Sequence, residues 1–351
     1  MEKTVIVGMS GGVDSSVSAL LLKKQGYNVI GLHMKSANFS METEDFECAK
    51  NVCEKLGIEL KVVDYDSDME KVKEYFASEY AKGRTPNPCV MCNRDVKFKP
   101  FLEFAEKMKA DYFATGHYAR IYHTGNEHIL MKAKDEDKDQ SYFLNQLSQK
   151  QLEKVLFPLG ELTKEEVRKI ALENGLVNAN KKDSFDVCFV GNKKFREYMD
   201  KNYPLKKGDI VDIDSNKILG KHEGLNKYTI GQRKGLNIGG QKDILGKWFV
   251  VKKDIENNVL YVSTNEEKLF NQTLITNKFN WIIGKSKESE FDCSAKIRYR
   301  QDDQKCHVKV LENGNIEVNF EEKQRAISIG QFCVLYDKDV CLGGGEIEEV
   351  K

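Results

Sequence analysis

The sequence predicts an α/β protein: a parallel-sheet domain in residues 1–203, followed by two β-rich domains in residues 204–270 and 271–351. Three observations predict it. Short apolar runs alternate with helical periodicity in the first half, the pattern of a parallel sheet covered on both faces. A glycine-rich turn joins the first such run to the first helix. After Pro204 the period changes to that of strands, with Gly-rich turns between them.

Thr4-Val5-Ile6-Val7-Gly8 reads as a buried strand. A helix follows, with Val13, Val17, Leu20 and Leu21 on one face and Gly26 as its stop. Residues 27–32 and 59–63 read as further strands, separated by a helix whose apolar face carries Phe46, Ala49, Cys53 and Leu56. A helix near Val96 to Met108 precedes a fourth strand at 111–115, and Thr163-Lys164-Glu165-Glu166 is a capping box that opens another helix. In the C-terminal half, residues 248–251 and 259–262 flank Glu256-Asn257-Asn258 as a hairpin. Residues 306–310 and 316–320 flank Asn313-Gly314, the strongest short hairpin signal.

The 351 residues exceed one ordinary core and fit two or three domains. No run approaches the eighteen or so apolar residues of a membrane helix. The start, Met1-Glu2-Lys3-Thr4-Val5, carries no apolar signal core, so a cytosolic location is expected. Nine cysteines, an odd number, argue against a disulfide framework and for thiol chemistry or metal ligation at particular positions. The formal net charge of zero neither supports nor excludes a nucleic-acid partner, which would need local clustering of Lys and Arg.

Gly8-Met9-Ser10-Gly11-Gly12-Val13-Asp14-Ser15 lies between the first strand and first helix. Glycines let successive N–H groups turn toward an anion, and the helix start adds partial positive charge. Ser10 and Ser15 can donate hydroxyl hydrogen bonds, and Asp14 can hold Mg²⁺ or order the loop. The segment lacks the Gly-Lys-Ser/Thr ending of a Walker A loop and lacks Gly-x-Gly-x-x-Gly, which argues against γ-phosphate transfer and against a dinucleotide site. It resembles the Ser-Gly-Gly-x-Asp-Ser loop of ATP pyrophosphatases, which bind pyrophosphate there and transfer AMP.

Two cysteine regions stand out. Arg84-Thr85-Pro86-Asn87-Pro88-Cys89-Val90-Met91-Cys92-Asn93 reads as an irregular loop that leaves Cys92 just before a helix. There, Arg94, Lys97 and the helix start would favour a nucleophilic thiolate. Far along the chain, Cys188 sits in Val187-Cys188-Phe189, flanked by Lys181, Lys182, Lys193 and Lys194. Taken alone, Cys188 reads as a buried small hydrophobe more readily than as a reactive thiol. Cys89-x-x-Cys92 has no second Cys-x-x-Cys or His pair to complete a zinc site. Cys53, Cys293, Cys306, Cys333 and Cys341 read as packing residues.

A series of motifs runs in order along the chain. After the loop and Thr85-Pro86-Asn87-Pro88 come Ala114-Thr115-Gly116-His117-Tyr118, Lys138-Asp139-Gln140-Ser141, Cys188-Phe189, Gly231-Gln232-Arg233-Lys234-Gly235, Arg298-Tyr299-Arg300-Gln301 and Cys341-Leu342-Gly343-Gly344-Gly345. This series resembles the bacterial tRNA-specific 2-thiouridylase family over essentially the whole chain. The resemblance implies AMP-forming 2-thiolation of the wobble uridine in the tRNAs for Lys, Glu and Gln, with ATP and Mg²⁺. Sulfur would come from a cysteine desulfurase, directly or through a relay protein. By motif position, Cys92 would be the nucleophile and Cys188 the persulfide carrier, the two joining in a transient disulfide. Met34 and Gly116 would contact adenosine beside the loop. Asn87, Pro88 and Cys89 would border the target base, while His117, Lys138, Asp139, Gln140, Arg298, Tyr299 and Gln331 would contact tRNA. On the residues alone, those RNA positions fit equally a solvated strand face and a helix start.

Many family members carry Asp where this chain has Cys89. Three thiols, Cys89, Cys92 and Cys188, therefore leave open an iron–sulfur cluster as sulfur carrier. A different AMP-forming ligase, with a nitrogen nucleophile, and an RNA-binding module with an inactive loop also remain as alternatives; neither needs paired thiols.

Overall fold

The computed structural model describes residues 2–35, 44–182, 193–204, 206–238, 246–286 and 288–351. In the first domain the order is β1 (Thr4–Gly8), α1 (Val13–Lys24), β2 (Asn28–Lys35), α2 (Glu44–Leu56), β3 (Glu59–Asp64) and α3 (Asp66–Ala81). Then come α4 (Pro88–Met91), a π-helical stretch (Cys92–Phe98), α5 (Lys99–Lys107), β4 (Tyr112–Ala114), β5 (Arg120–Thr124), β6 (Glu127–Met131), α6 (Gln149–Lys154), β7 (Val155–Leu156), α7 (Lys164–Glu173) and α8 (Lys193–Asn202). The remainder is β8 (Gly208–Asp212), β9 (Ile218–His222), β10 (Phe249–Asp254), β11 (Val259–Ser263), β12 (Phe270–Trp281), β13 (Glu290–Lys296), β14 (Gln304–Val310), β15 (Ile316–Arg325), β16 (Phe332–Asp337) and β17 (Val340–Val350). No helix among the described residues is long and apolar enough to cross a membrane.

The expected α/β class with a β-rich remainder is what the chain adopts. The first sheet runs β3-β2-β1-β4-β7, all parallel. Alternation along β1 sends Val5 and Val7 into a cluster with α1, α2 and α7, while Ile6 faces Phe98, Phe101 and Leu102 on the other side. Four strands, β10-β11-β8-β9, wrap Ile210, Leu225, Val250, Leu260 and Val262 in the central domain. The last domain is a closed antiparallel barrel, β12-β15-β14-β13-β16-β17, shut by pairing of β17 with β12.

The first and last domains share a core. Ile6, Leu32 and Phe113 of the sheet belong to one continuous apolar cluster with Tyr142, Leu144, Phe332, Val334 and Tyr336. Burial of this kind stabilises by about 25 cal/mol per Å² of apolar area, so the barrel is fixed to the sheet and not tethered. At this joint Gly344 lets the barrel backbone meet Asn145, since a Cβ there would stand 2.3 Å from the Asn145 Oδ1.

Three elements differ from the sequence reading. The helix expected near Val96 to Met108, just after Cys92, begins at Pro88, because proline suits the first helical turn, where its missing N–H costs nothing. Helix α3, unread in the sequence, buries Met69, Val72, Phe76 and Ala77 at helical spacing. The β5–β6 hairpin leaves the first domain and joins the barrel edge, with Met131 opposite Val340.

Candidate functional site

The order β3-β2-β1-β4 places the topological switch point between β1 and β4, where α/β sheets bind ligands at their carboxyl ends. The loop Gly8–Ser15 leaves β1 there. Ser15 Oγ accepts from the Ser10 N–H at 3.2 Å and donates to the Gly12 carbonyl at 3.1 Å. The Ser10 and Ser15 hydroxyls lie 3.2 Å apart. Gly12 caps α1 without a side-chain hydrogen bond, so a ligand meets the first turn directly. Gly11 has φ of 78°, the left-handed region. Met9 is held at both ends: its N–H donates to the Leu32 carbonyl at 2.8 Å, and its carbonyl lies 2.8 Å from His33 Nδ1. Val13 is buried in the α1 core and supports the loop from below.

Gly116, after β4, brings its backbone against the same loop, because a Cβ would lie 2.8 Å from the Ser15 nitrogen. Met34, at the carboxyl end of β2, is half-buried on the same sheet edge. The expected nucleotide-binding positions thus gather at one edge from three elements. Asp14 is bonded by protein groups. Lys164 Nζ lies 2.7 and 2.8 Å from its two carboxylate oxygens, and the Tyr118 hydroxyl donates to Oδ1 at 3.0 Å. Asn178, 3% exposed, donates to the Gly11 carbonyl and to Ser16 Oγ, each at 2.9 Å. Lys164, Tyr118, Asn178 and His33 escaped the sequence reading; only Tyr118 had a local signal, as the last residue of the Ala-Thr-Gly-His-Tyr motif.

Cys92 lies one turn inside the helix that starts at Pro88, and it opens the π-helical stretch. This departs from the expected helix-start thiol: Cys89, half-exposed, is closer to that start. Arg94 is also committed elsewhere, bonding the Asp95 carboxylate at 2.9 and 2.8 Å. Cys92 is buried in a cluster with Met69, Val72, Phe76 and Val96, against which Met34, Met91 and Met199 pack. A π-stretch is uncommon in helices and concentrates at functional sites. Cys188 lies outside the described residues. On either side of its segment, Lys181 Nζ lies 2.6 Å from Asp45 Oδ1 beside the Gly11 backbone, and Met199 of α8 packs on the Cys92 cluster. The other thiols differ in kind. Burial pushes the Cys53 thiol up to about 11 and raises Cys333 and Cys341 further, so all three stay protonated at neutral pH. Of the three thiols considered for a cluster, Cys89 and Cys92 share one helical turn, and no group of three ligating side chains stands among the described residues.

The barrel holds the Thr85–Asn87 loop from outside. The Thr85 N–H donates to the Ile329 carbonyl at 2.8 Å, and Gln331 Nε2 donates to the Thr85 carbonyl at 2.7 Å. Arg84 spans the joint, with Nη2 2.6 Å from Glu346 and 2.9 Å from Glu348, while the Tyr75 hydroxyl donates to Glu346 at 3.2 Å. Burial raises the Glu346 carboxyl, and Arg84 opposes that shift. Replacing Arg84 by alanine is expected to destabilise the chain by about 2 kcal/mol near pH 8, since it strands a half-buried carboxylate. With Arg84 gone, the Glu346 folded-state pKa rises further above its unfolded value. The deficit is therefore small below the carboxylate range and grows as pH climbs through it. Urea unfolding at pH 4.5 and pH 8 checks this.

The remaining expected contacts fall on both sides of this loop. His117 is held by Thr115 Oγ1 at 2.8 Å and packs against Phe98 and Phe157; burial and then Lys97 keep its pKa well below the usual value, so it is neutral. Asp139 is buried and accepts from Ala133 N–H, Ser141 N–H and Ser141 Oγ, while Gln140 Oε1 accepts from Tyr118 N–H. Gln140 alone of the two ties the Tyr118 backbone, its own N–H donating to the Tyr118 carbonyl at 2.8 Å, while Asp139 orders the segment from Ala133 to Ser141. Lys138 is half-exposed beside them. Tyr299 stacks on Phe143 at 4.3 Å, and exposed Arg298 donates to the Ala326 carbonyl. Asn87 caps α4, and Pro88 is its first residue. Two open grooves of about 270 and 220 Å³ flank the π-stretch, but their Lys and Arg side chains are matched by Asp95, Glu103, Glu106 and Asp68. Such balance gives no net attraction for a phosphate backbone.

Three domain families match the chain: the tRNA methyl transferase HUP domain over residues 3–192, the tRNA methyl transferase PRC-barrel domain over 196–264, and the aminomethyltransferase beta-barrel domain over 271–347. The tRNA-specific 2-thiouridylase MnmA 1 of Geobacillus kaustophilus is 49% identical, covering 99% of this chain and 96% of its own. The tRNA-specific 2-thiouridylase MnmA of Halalkalibacterium halodurans is 48% identical, with 99% and 95% covered. Among solved structures, the tRNA thiolase NcsA of Methanococcus maripaludis with its iron–sulfur cluster is 24% identical at a TM-score of 0.36, covering 58% of this chain and 68% of its own.

Proposed function

Since the chain belongs to the MnmA family of tRNA-specific 2-thiouridylases, we propose that it replaces the 2-oxygen of the wobble uridine by sulfur in the tRNAs for Lys, Glu and Gln. The observation that carries this reading is the gathering of the Gly8–Ser15 loop, Gly116 and Met34 at one sheet edge, with Met34 also packed in the cluster that buries Cys92.

Oxygen on carbon 2 of uracil is a poor leaving group. ATP bound at the loop amides makes it a good one: the oxygen attacks the α-phosphorus, the bond to pyrophosphate breaks, and the base carries AMP. Ser10, Ser15 and the α1 N-terminus hold the phosphates. Mg²⁺, a hard cation that takes one or two carboxylates plus phosphate oxygens, would be held by Asp14 and would supply charge neutralisation there. The terminal sulfur of a Cys188 persulfide bonds to carbon 2. The Cys92 thiolate attacks the Cys188 sulfur, the persulfide S–S bond breaks with its electron pair on the transferred sulfur, and AMP leaves. The product is 2-thiouridine and a Cys92–Cys188 disulfide, which an external dithiol reduces. A cysteine desulfurase or a relay protein reloads Cys188. An anticodon loop suits the site because its bases can be splayed out of the stack.

Nucleoside mass analysis tests the proposal. With ATP, Mg²⁺ and a cysteine desulfurase supplied with cysteine as the persulfide donor, wild-type protein should convert wobble uridine to 2-thiouridine, and Cys188→Ser should form none. Full 2-thiouridine from Cys188→Ser would overturn the persulfide route, and pyrophosphate release by wild-type protein with no 2-thiouridine would point instead to an AMP-forming ligase that needs no paired thiols.

A further inference from the structure

Asp14 is the second residue of α1, so its carboxylate stands in the first turn of the helix that follows the glycine-rich loop. An unneutralised carboxylate there repels a triphosphate. The cation that neutralises it comes from 150 residues away: Lys164 Nζ bonds both oxygens at 2.7 and 2.8 Å, with a side chain only 11% exposed. The chain spends much local structure on delivering this ammonium. Thr163 and Glu166 form a complete capping box around the start of α7, the Lys164 N–H donates to Asp135 Oδ2 at 2.7 Å, and Val167 and Ala171 pack α7 onto α1. Tyr118 marks the other side, donating to Asp14 and standing 5.8 Å below the ammonium by its ring centre. Lysine is a compact charge on a flexible stem, suited to exchanging one anion for another at short range.

We propose that Lys164 is a further nucleotide-binding and catalytic residue: it neutralises Asp14 until a nucleotide arrives, then turns its ammonium to the α- and β-phosphates and stabilises the departing pyrophosphate. Asp14 is released at the same moment to the cation that accompanies the nucleotide. The inference rests on the ATP-dependent reading above and adds a residue to it.

Calorimetric binding of α,β-methylene-ATP, with EDTA and then with Mg²⁺, tests the proposal on wild-type, Lys164→Gln, Lys164→Arg, Asp14→Asn and the Asp14→Asn/Lys164→Gln pair. Loss of one charge-assisted contact should weaken metal-free binding by about tenfold or more in Lys164→Gln. Lys164→Arg should recover part of it. The double variant should bind more tightly than Lys164→Gln, because the repelling carboxylate is gone, and less tightly than Asp14→Asn alone. Metal-free affinity in Lys164→Gln equal to wild type overturns the proposal. Where Lys164→Gln does not fold, equal affinities for Asp14→Asn and the double variant overturn it instead. Absence of binding by wild-type protein in Mg²⁺ would strike at the ATP reading itself, so the two failures are distinct.

Discussion

Replacing Cys92 by serine is expected to abolish 2-thiouridine formation while ATP-dependent release of pyrophosphate with cognate tRNA stays within several-fold of wild type. The separation follows from where the residue sits. Cys92 lies among Met69, Val72, Phe76 and Val96, whereas the loop proposed to hold the phosphates is built from Ser10, Ser15 and the α1 start. A serine hydroxyl at neutral pH is a far weaker nucleophile than a thiol and cannot form the resolving disulfide. The loss should be about three orders of magnitude or more, the scale on which removal of a covalent nucleophile acts. A fold-wide explanation is separable by magnitude. A hydroxyl in this apolar cluster costs about 1–3 kcal/mol, which lowers the melting temperature by several degrees and leaves the protein folded at 25 °C. Thiolation and pyrophosphate release falling together would contradict the assignment of Cys92 to sulfur transfer.

Gly11→Ala should have the opposite signature, with nucleotide binding and pyrophosphate release lost together. Gly11 has φ of 78°, and a Cβ there would lie 2.1 Å from the Asp45 carbonyl oxygen. The left-handed conformation alone costs alanine about 1–2 kcal/mol. The clash is with backbone at the start of α2, so no side-chain rotation relieves it. Either the loop turns away from its anion-binding geometry or α2 shifts, taking with it Asp45 and its ion pair with Lys181. Affinity for ATP is expected to fall by at least about 30-fold, the factor that corresponds to 2 kcal/mol, measured by calorimetry with α,β-methylene-ATP. Affinity within a factor of two of wild type would mean that the loop is not the phosphate site.

Much of the fold was legible because its signals are local. The β1–loop–α1 unit reads directly from an apolar run, a glycine turn and a periodic helix. The hairpins at Asn257-Asn258 and Asn313-Gly314 read from their turns. Two further elements also carry local signals. Pro88 opens α4, as proline favours the first turn of a helix, and this places Cys92 one turn inside the helix and not at its start. Met69, Val72 and Phe76 carry helical spacing that marks α3. What sequence could not supply is pairing across distance. Lys164 meets Asp14 across 150 residues, and Gln331 meets Thr85 across 246. Neither has a neighbour in the chain that betrays its partner. Gln331, expected at the tRNA surface, donates to the loop before Asn87, so the barrel fixes the geometry of the region that would border the target base.

The most direct test of the account is a peptide map, under non-reducing conditions, after one turnover of persulfide-loaded enzyme with cognate tRNA, ATP and Mg²⁺ and without reductant. The account predicts a cross-linked peptide pair joining Cys92 to Cys188, in yield matching the 2-thiouridine formed. A full turnover of 2-thiouridine with both thiols recovered free and alkylated would contradict it.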